Sequence, residues 1–416
     1  MAKRKNYTGR KKRRVLPALL VVLLAGSLAF FAYSALSHSL FPPDIPVTDP
    51  NSPAPSEPGQ PSEPESKVPE SFQDGGIFSS EYERAYELLS EMTLEEKVGQ
   101  VLLARCPEEG AAEAVREYHL GGLVLFGRDF KGLTRSEVVK TLNSYQGAAS
   151  IPLILSVDEE GGSVVRVSSN ENLAEKPFNS QRYLYNNGGI SALVEDTKAK
   201  CELLAGLGIN LNLAPVADVS TDSDDYIYKR TIGRDAETTA DCIEAIVRAT
   251  EGTGVSATLK HFPGYGSNSD THTGVVIDKR SLDSFRERDF LPFQAGIDAG
   301  APCVLVSHNV VESMDEALPA SLSPAVHELL REELGFTGLT LTDDMAMDGV
   351  TAYSGEKSPY VMALEAGNDL ITTSEIETPY RDILTAVRDG SLPEETLDHA
   401  VFRVLAFKLS TGILAE

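Results

Sequence analysis

The run Lys260-His261-Phe262-Pro263-Gly264 ends an apolar stretch and opens onto a Gly-rich segment that carries Asp270 and His272. Those two residues are two apart, so in an extended segment both side chains project to one side. The carboxylate can then orient the imidazole and stabilise its protonated form. His272 is thereby a candidate proton donor and acceptor. A second acidic position ends the apolar run Leu339-Thr340-Leu341-Thr342 as Asp343-Asp344. Neighbouring strand residues face opposite ways, so one of these carboxylates faces a site while the other turns outward, and they do not form a catalytic pair with each other.

Such residues need a frame that brings distant stretches together. After the first 70 or so residues, short β-type runs alternate with amphipathic helical stretches, beginning with a helix whose Thr93-Leu94-Glu95-Glu96 is a capping box. Strands are expected at Gly122 to Phe126, Pro152 to Val157, Ile209 to Leu213, Ser256 to Leu259, Cys303 to Val306, Leu339 to Thr342 and Asp369 to Thr372. Apolar strands separated by helices imply a parallel sheet covered on both faces. Seven or eight such units in this length favour an α/β fold of the (β/α)8 barrel type over a doubly wound open sheet. Polar residues fall at the C-terminal strand ends: Asp158 after the second strand, Lys260-His261 after the fourth, Ser307-His308 after the fifth and Asp343-Asp344 after the sixth. In a barrel these ends converge on one mouth.

The Lys-His-Phe-Pro-Gly string followed by Asp-Thr-His resembles glycoside hydrolase family 3, specifically its single-domain β-N-acetylglucosaminidase branch. The resemblance implies that Asp343, the first acid of a Thr-Asp-x-hydrophobic-x-Met pattern, is the nucleophile and that His272, with Asp270, is the general acid/base. Val157-Asp158-Glu159-Glu160-Gly161-Gly162 with Arg166, Arg230 in Arg230-Thr231-Ile232-Gly233, and Lys260 with His261 resemble the family's sugar-binding positions. Asn212 to Val219 resembles a further signature, in which Asp218 reads as structural. The segment departs from the family pattern in one place. Gly264-Tyr265-Gly266 is followed by three residues before the Asp, where relatives commonly have Gly-His-Gly and four. A glycosidic bond needs a proton for the departing oxygen and stabilisation of an oxocarbenium-like centre. The resemblance assigns those tasks to His272 and Asp343, and implies hydrolysis of terminal N-acetylglucosamine from peptidoglycan fragments. A family 3 β-glucosidase, a phosphorylase and a non-catalytic glycan-binding surface protein are the alternatives.

The remaining sequence bounds the setting. Residues 1–14 hold eight Lys/Arg and no acid, residues 15–41 are almost wholly apolar, and residues 42–73 are rich in Pro, Ser and Glu. This order reads as a basic cytoplasmic tail, an uncleaved membrane span and a solvated tether, with a catalytic unit at 74–416 outside the cell membrane. A cleaved signal peptide with a secreted product is the competing reading. A formal net charge of −25 argues against nucleic acid as a partner. Cys106, Cys201, Cys242 and Cys303 are widely spaced without a CxxC, so buried free thiols are expected. Neither a metal site nor a cofactor is expected, and the partner is a small carbohydrate.

Overall fold

A computed structural model describes residues 68–266, 268 and 276–415. The expected membrane span at 15–41, the basic tail before it and the tether up to residue 67 lie outside the described residues. So do Asp270 and His272. Among the described residues no helix is long and apolar enough to cross a membrane.

Among the described residues ten strands form: β1 (Leu102–Arg105), β2 (Gly122–Leu125), β3 (Ile154–Val157), β4 (Leu211–Asn212), β5 (Ser256–Phe262), β6 (Ile277–Asp278), β7 (Cys303–Val306), β8 (Val310–Val311), β9 (Leu339–Thr342) and β10 (Ile371–Thr373). Eight of them make one parallel sheet in the order β10-β1-β2-β3-β4-β5-β7-β9, and β6 pairs with β8 separately. The sheet curls until its ends meet. Leu341 bridges Leu370 in parallel, with the Leu370 N–H donating to Thr340 O at 3.0 Å and the Thr342 N–H to Leu370 O at 3.2 Å. The architecture is thus the β/α barrel, not an open doubly wound sheet. Side chains of β2, β3, β7 and β9 are buried along their whole length, as strands covered by helices outside and filled inside must be. Close strand approach demands small residues: a Cβ on Gly122 would sit 2.5 Å from Ile154 O.

Sequence reading missed β1. The helix Leu94–Gln100 stops one residue before it; Gly99 falls inside the helix, and Gln100 to Leu102 carries no turn residue that would separate the helix from a strand. The Thr93 capping box is present, with Thr93 N–H donating to Glu96 Oε2 at 2.9 Å. Restoring β1 moves the polar strand ends to the third, fifth, sixth and seventh barrel strands, and places Lys260 and His261 inside β5 rather than after it. The expected tether also ends sooner. Val68 is buried, and the Phe72 ring stacks on His399 at 4.2 Å and meets Phe402 edge-on at 5.0 Å. Aromatic burial of this kind fixes chain that composition alone marks as solvated. All four cysteines are free and buried. Burial pushes the Cys106 thiol up to about 11 and that of Cys242 to about 12.

Candidate active site

Asp158, Arg166, Arg230, Lys260, His261 and Asp343 line one cavity of about 400 Å³ at the C-terminal ends of the barrel strands. They arrive on separate elements. Asp158 follows β3, Arg230 ends a short helical turn after β4, Lys260 and His261 lie in β5, and Asp343 follows β9. Consecutive strand residues ordinarily face opposite ways. The β5 ladder to β7 shifts register between Leu259 and Phe262, however, and with this irregularity both side chains line the cavity.

An ion-pair cluster fills the floor. Lys260 Nζ donates to Asp158 Oδ1 at 2.6 Å and lies 2.7 Å from Glu160 Oε1. Arg230 grips the same Glu160 in a fork, Nε to Oε2 at 2.9 Å and Nη2 to Oε1 at 2.7 Å. Burial alone would raise the Glu160 pKa, but Lys260 and Arg230 prevail and hold it down at about 2. For Lys260, burial disfavours the ammonium and the carboxylates of Asp158 and Glu160 more than offset it, so its pKa is raised. Glu159 points the other way and is fully buried. Its carboxylate accepts from the backbone N–H groups of Arg166 at 2.8 Å and Val167 at 2.7 Å, which shapes the turn that carries Arg166.

Both acids after β9 line the cavity, but their carboxylates are held differently. The Asp344 carboxylate is tied down by the N–H groups of Ala346 and Ser374, each at 3.0 Å, and by the Ser374 hydroxyl. Its carbonyl accepts from His308 Nε2 at 3.1 Å, while His308 Nδ1 lies 2.7 Å from Ser321 Oγ. His308, another polar residue at a strand end, therefore braces the turn. Asp343 accepts the Asp344 N–H at 2.9 Å on Oδ1 and faces the cavity.

A cavity of this size, ringed by charged donors and carboxylates, suits a neutral polyol, whose hydroxyls both donate and accept. The model of the glycosyl hydrolase family 3 N-terminal domain matches residues 93–407. A β-hexosaminidase of Stenotrophomonas maltophilia is 34% identical over 279 residues, covering 66% of this chain and 81% of that protein. A β-N-acetylglucosaminidase structure from Paenibacillus sp. str. FPU-7 superposes with a TM-score of 0.71 at 31% identity, covering 78% of this chain and 64% of that one. A β-N-acetylhexosaminidase from Beutenbergia cavernae superposes at 0.69 with 28% identity, over 77% of this chain and 99% of that one.

The chain belongs to glycosyl hydrolase family 3.

Within that family it falls in the β-hexosaminidase branch, and it is a glycoside hydrolase. Three cavity features of this family 3 enzyme escaped sequence reading. Glu160 is the hub of the cluster rather than a neighbour of Asp158, and a run of two glutamates gives no sign of which one turns inward. Arg105 lines the cavity from the end of β1, with its guanidinium 4.5 Å over the Phe126 ring and a buried Nε without a partner. Recognising β1 as a strand would have exposed it by the same strand-end rule that found Asp158. Tyr226, 41% exposed and 6.0 Å from the Tyr265 ring, stands at the edge of the cavity. Among the described residues no cluster of His, Cys, Asp and Glu gathers as a metal site would.

Proposed function

We propose that this family 3 hydrolase is an exo-acting, retaining β-N-acetylglucosaminidase. Asp343 attacks the anomeric carbon of a terminal N-acetylglucosamine as His272, oriented by Asp270, protonates the departing oxygen. A covalent glycosyl-Asp343 ester results. His272, now neutral, then takes a proton from water as the water oxygen attacks the same carbon and the Asp343 carboxylate leaves. Asp158, Arg166, Arg230, Lys260 and His261 hold the sugar hydroxyls. The observation that carries this reading is the convergence of Asp343 with those side chains in a single cavity large enough for one pyranose. The names of the relatives support the amino sugar.

The natural substrates on this reading are peptidoglycan-derived fragments, with residues 15–41 anchoring the enzyme so that its barrel lies outside the cell membrane. The order of basic tail, apolar run and polar tether supports that setting. Incubation with a 2-fluoro or activated N-acetylglucosaminide followed by peptide mass spectrometry should give one adduct, on Asp343. Turnover without an adduct on that peptide would remove Asp343 from the role. His272→Ala should lose turnover of substrates with poor leaving groups. Adding phosphate should leave the rate unchanged and yield no sugar 1-phosphate, the outcome that separates hydrolysis from phosphorolysis.

A further inference from the structure

Arg280 lies two residues past the end of β6, and its guanidinium joins separate stretches of chain. Nε and Nη2 donate to Asp278 Oδ2 at 2.9 and 2.7 Å, Nη1 donates to Asp289 Oδ2 at 2.6 Å, and Nη2 also donates to the Gly264 carbonyl at 3.2 Å. Both carboxylates are buried, and the guanidinium rests 4.1 Å over the Phe285 ring. An arginine paired on its edges and stacked on its face has little freedom to turn.

Gly264-Tyr265-Gly266 is shaped to this surface. A Cβ on Gly264 would lie 2.7 Å from Asp289 Cβ, and one on Gly266 would lie 2.5 Å from Arg280 Cζ. The backbone therefore approaches one ion-pair cluster twice at positions where only glycine fits. Two residues on, Asn268 Nδ2 donates to Asp278 Oδ2 at 2.7 Å, and the Asn268 N–H donates to Tyr265 O at 3.2 Å. The far flank is fixed as well. Val276 O accepts the Val310 N–H at 2.9 Å, and Ile277 and Asp278 pair with Val310 and Val311. Residues 269–275, the stretch that carries Asp270 and His272, are thus flanked on both sides by chain tied to the Arg280–Asp278 pair.

We propose that Arg280 is a positioning residue of this enzyme: with Asp278 and Asp289 it holds Gly264, Gly266 and Asn268 on one flank and β6 on the other, and so fixes the two points of the chain between which the acid/base is carried. Arg280 does not line the sugar cavity, so its effect on the reaction is indirect. Fixing both ends of a short stretch restricts the conformations open to it, and a displaced proton donor loses rate while the sugar contacts stay as they are. The catalytic side of this inference rests on the assignment of the acid/base to His272; the clamp itself does not.

The test compares intact wild type with Asn268→Ala and Arg280→Lys. In both variants hydrogen–deuterium exchange over residues 264–280 should quicken by at least about fivefold, while β3 and β7 keep their protection. An N-acetylglucosaminide with an alkyl alcohol as leaving group needs the proton; one with 2,4-dinitrophenolate does not. For the first, kcat/KM should fall by about ten- to a hundredfold, and for the second it should stay within about threefold. Asn268 is only half-buried, so Asn268→Ala keeps the test open if Arg280→Lys folds poorly. Unchanged exchange in the variants overturns the proposal. So does an equal loss on the two substrates, which a merely structural role would give. If His272→Ala itself fails to separate the two substrates, the acid/base assignment falls and exchange alone decides whether Arg280 holds the segment, so the two readings fail separately.

Discussion

The Arg230 guanidinium meets the Glu160 carboxylate through two nearly parallel bonds of 2.9 and 2.7 Å, 70 residues apart in sequence and with both side chains largely removed from water. Lys260 joins the same carboxylate, so one buried anion holds two cations in place. Removing one member of such a cluster leaves charge uncompensated in a low-dielectric site, and that cost exceeds what the pair contributes by forming.

Glu160→Gln should therefore destabilise the barrel by about 3–5 kcal/mol. Chemical denaturation, with the midpoint and slope fitted together, checks this value. The same carboxylate makes stability sensitive to acid. Its folded pKa of about 2 lies below its unfolded value of about 4.3, so its stabilisation is complete above the unfolded value and is lost as pH falls from there through the folded one. The variant should lack this component of acid destabilisation.

Arg105 differs in kind. Its Nε is buried without a partner, and among the described residues its guanidinium makes no ion pair. Arg105→Leu should leave thermal stability unchanged or slightly higher, since a partly desolvated charge is removed. KM should rise severalfold, because the cavity loses a charged donor group at its rim. Initial-rate kinetics beside a thermal melt would separate the two effects.

Gly264 has a φ of +122°, and a Cβ there would lie 2.7 Å from both Cβ and Oδ1 of Asp289. Gly264→Ala should cost about 1–3 kcal/mol through backbone strain, with the side-chain clash adding to it. The effect should also reach Arg280, whose Nη1 donates to Asp289 Oδ2 at 2.6 Å and whose Nη2 donates to Gly264 O at 3.2 Å. A Tm within one degree of wild type would contradict this.

Lys408 is fully buried in the helix Glu394–Ser410 and donates to Gln100 Oε1 at 2.7 Å. Burial pulls its pKa down to about 7. Between that value and about 10.4 the unfolded chain binds more protons than the folded one, so stability from this group rises with pH across the window. Below about pH 7 its contribution is flat. Lys408→Met should lack the rise, and the difference in Tm between the two proteins should shrink from pH 7 to pH 10.

Much of the barrel could be read from the chain because each strand end carries its own signal, an apolar run stopped by Asp158, by Ser307-His308 or by Asp343-Asp344. The same local rule brought five cavity residues to one mouth before any contact was known. What escaped it was relational. The choice of Glu160 over Glu159 depends on Lys260 and Arg230, 100 and 70 residues away. β1 was lost for a local reason, because Gln100 to Leu102 offers no turn residue between a helix and a strand.

The last joint of the cylinder is not a ladder. Beside the Leu341–Leu370 bridge, the buried Asp369 carboxylate accepts the Thr340 N–H at 2.7 Å, and Arg331 and Arg403 hold it at 2.9 and 2.6 Å. Those two cations keep its pKa below the usual range although burial works against them. An ionised side chain therefore reinforces the backbone bonds among Thr340, Thr342 and Leu370 that close the ring at that seam. Strong acid should unzip it there first, next to the strand that delivers Asp343.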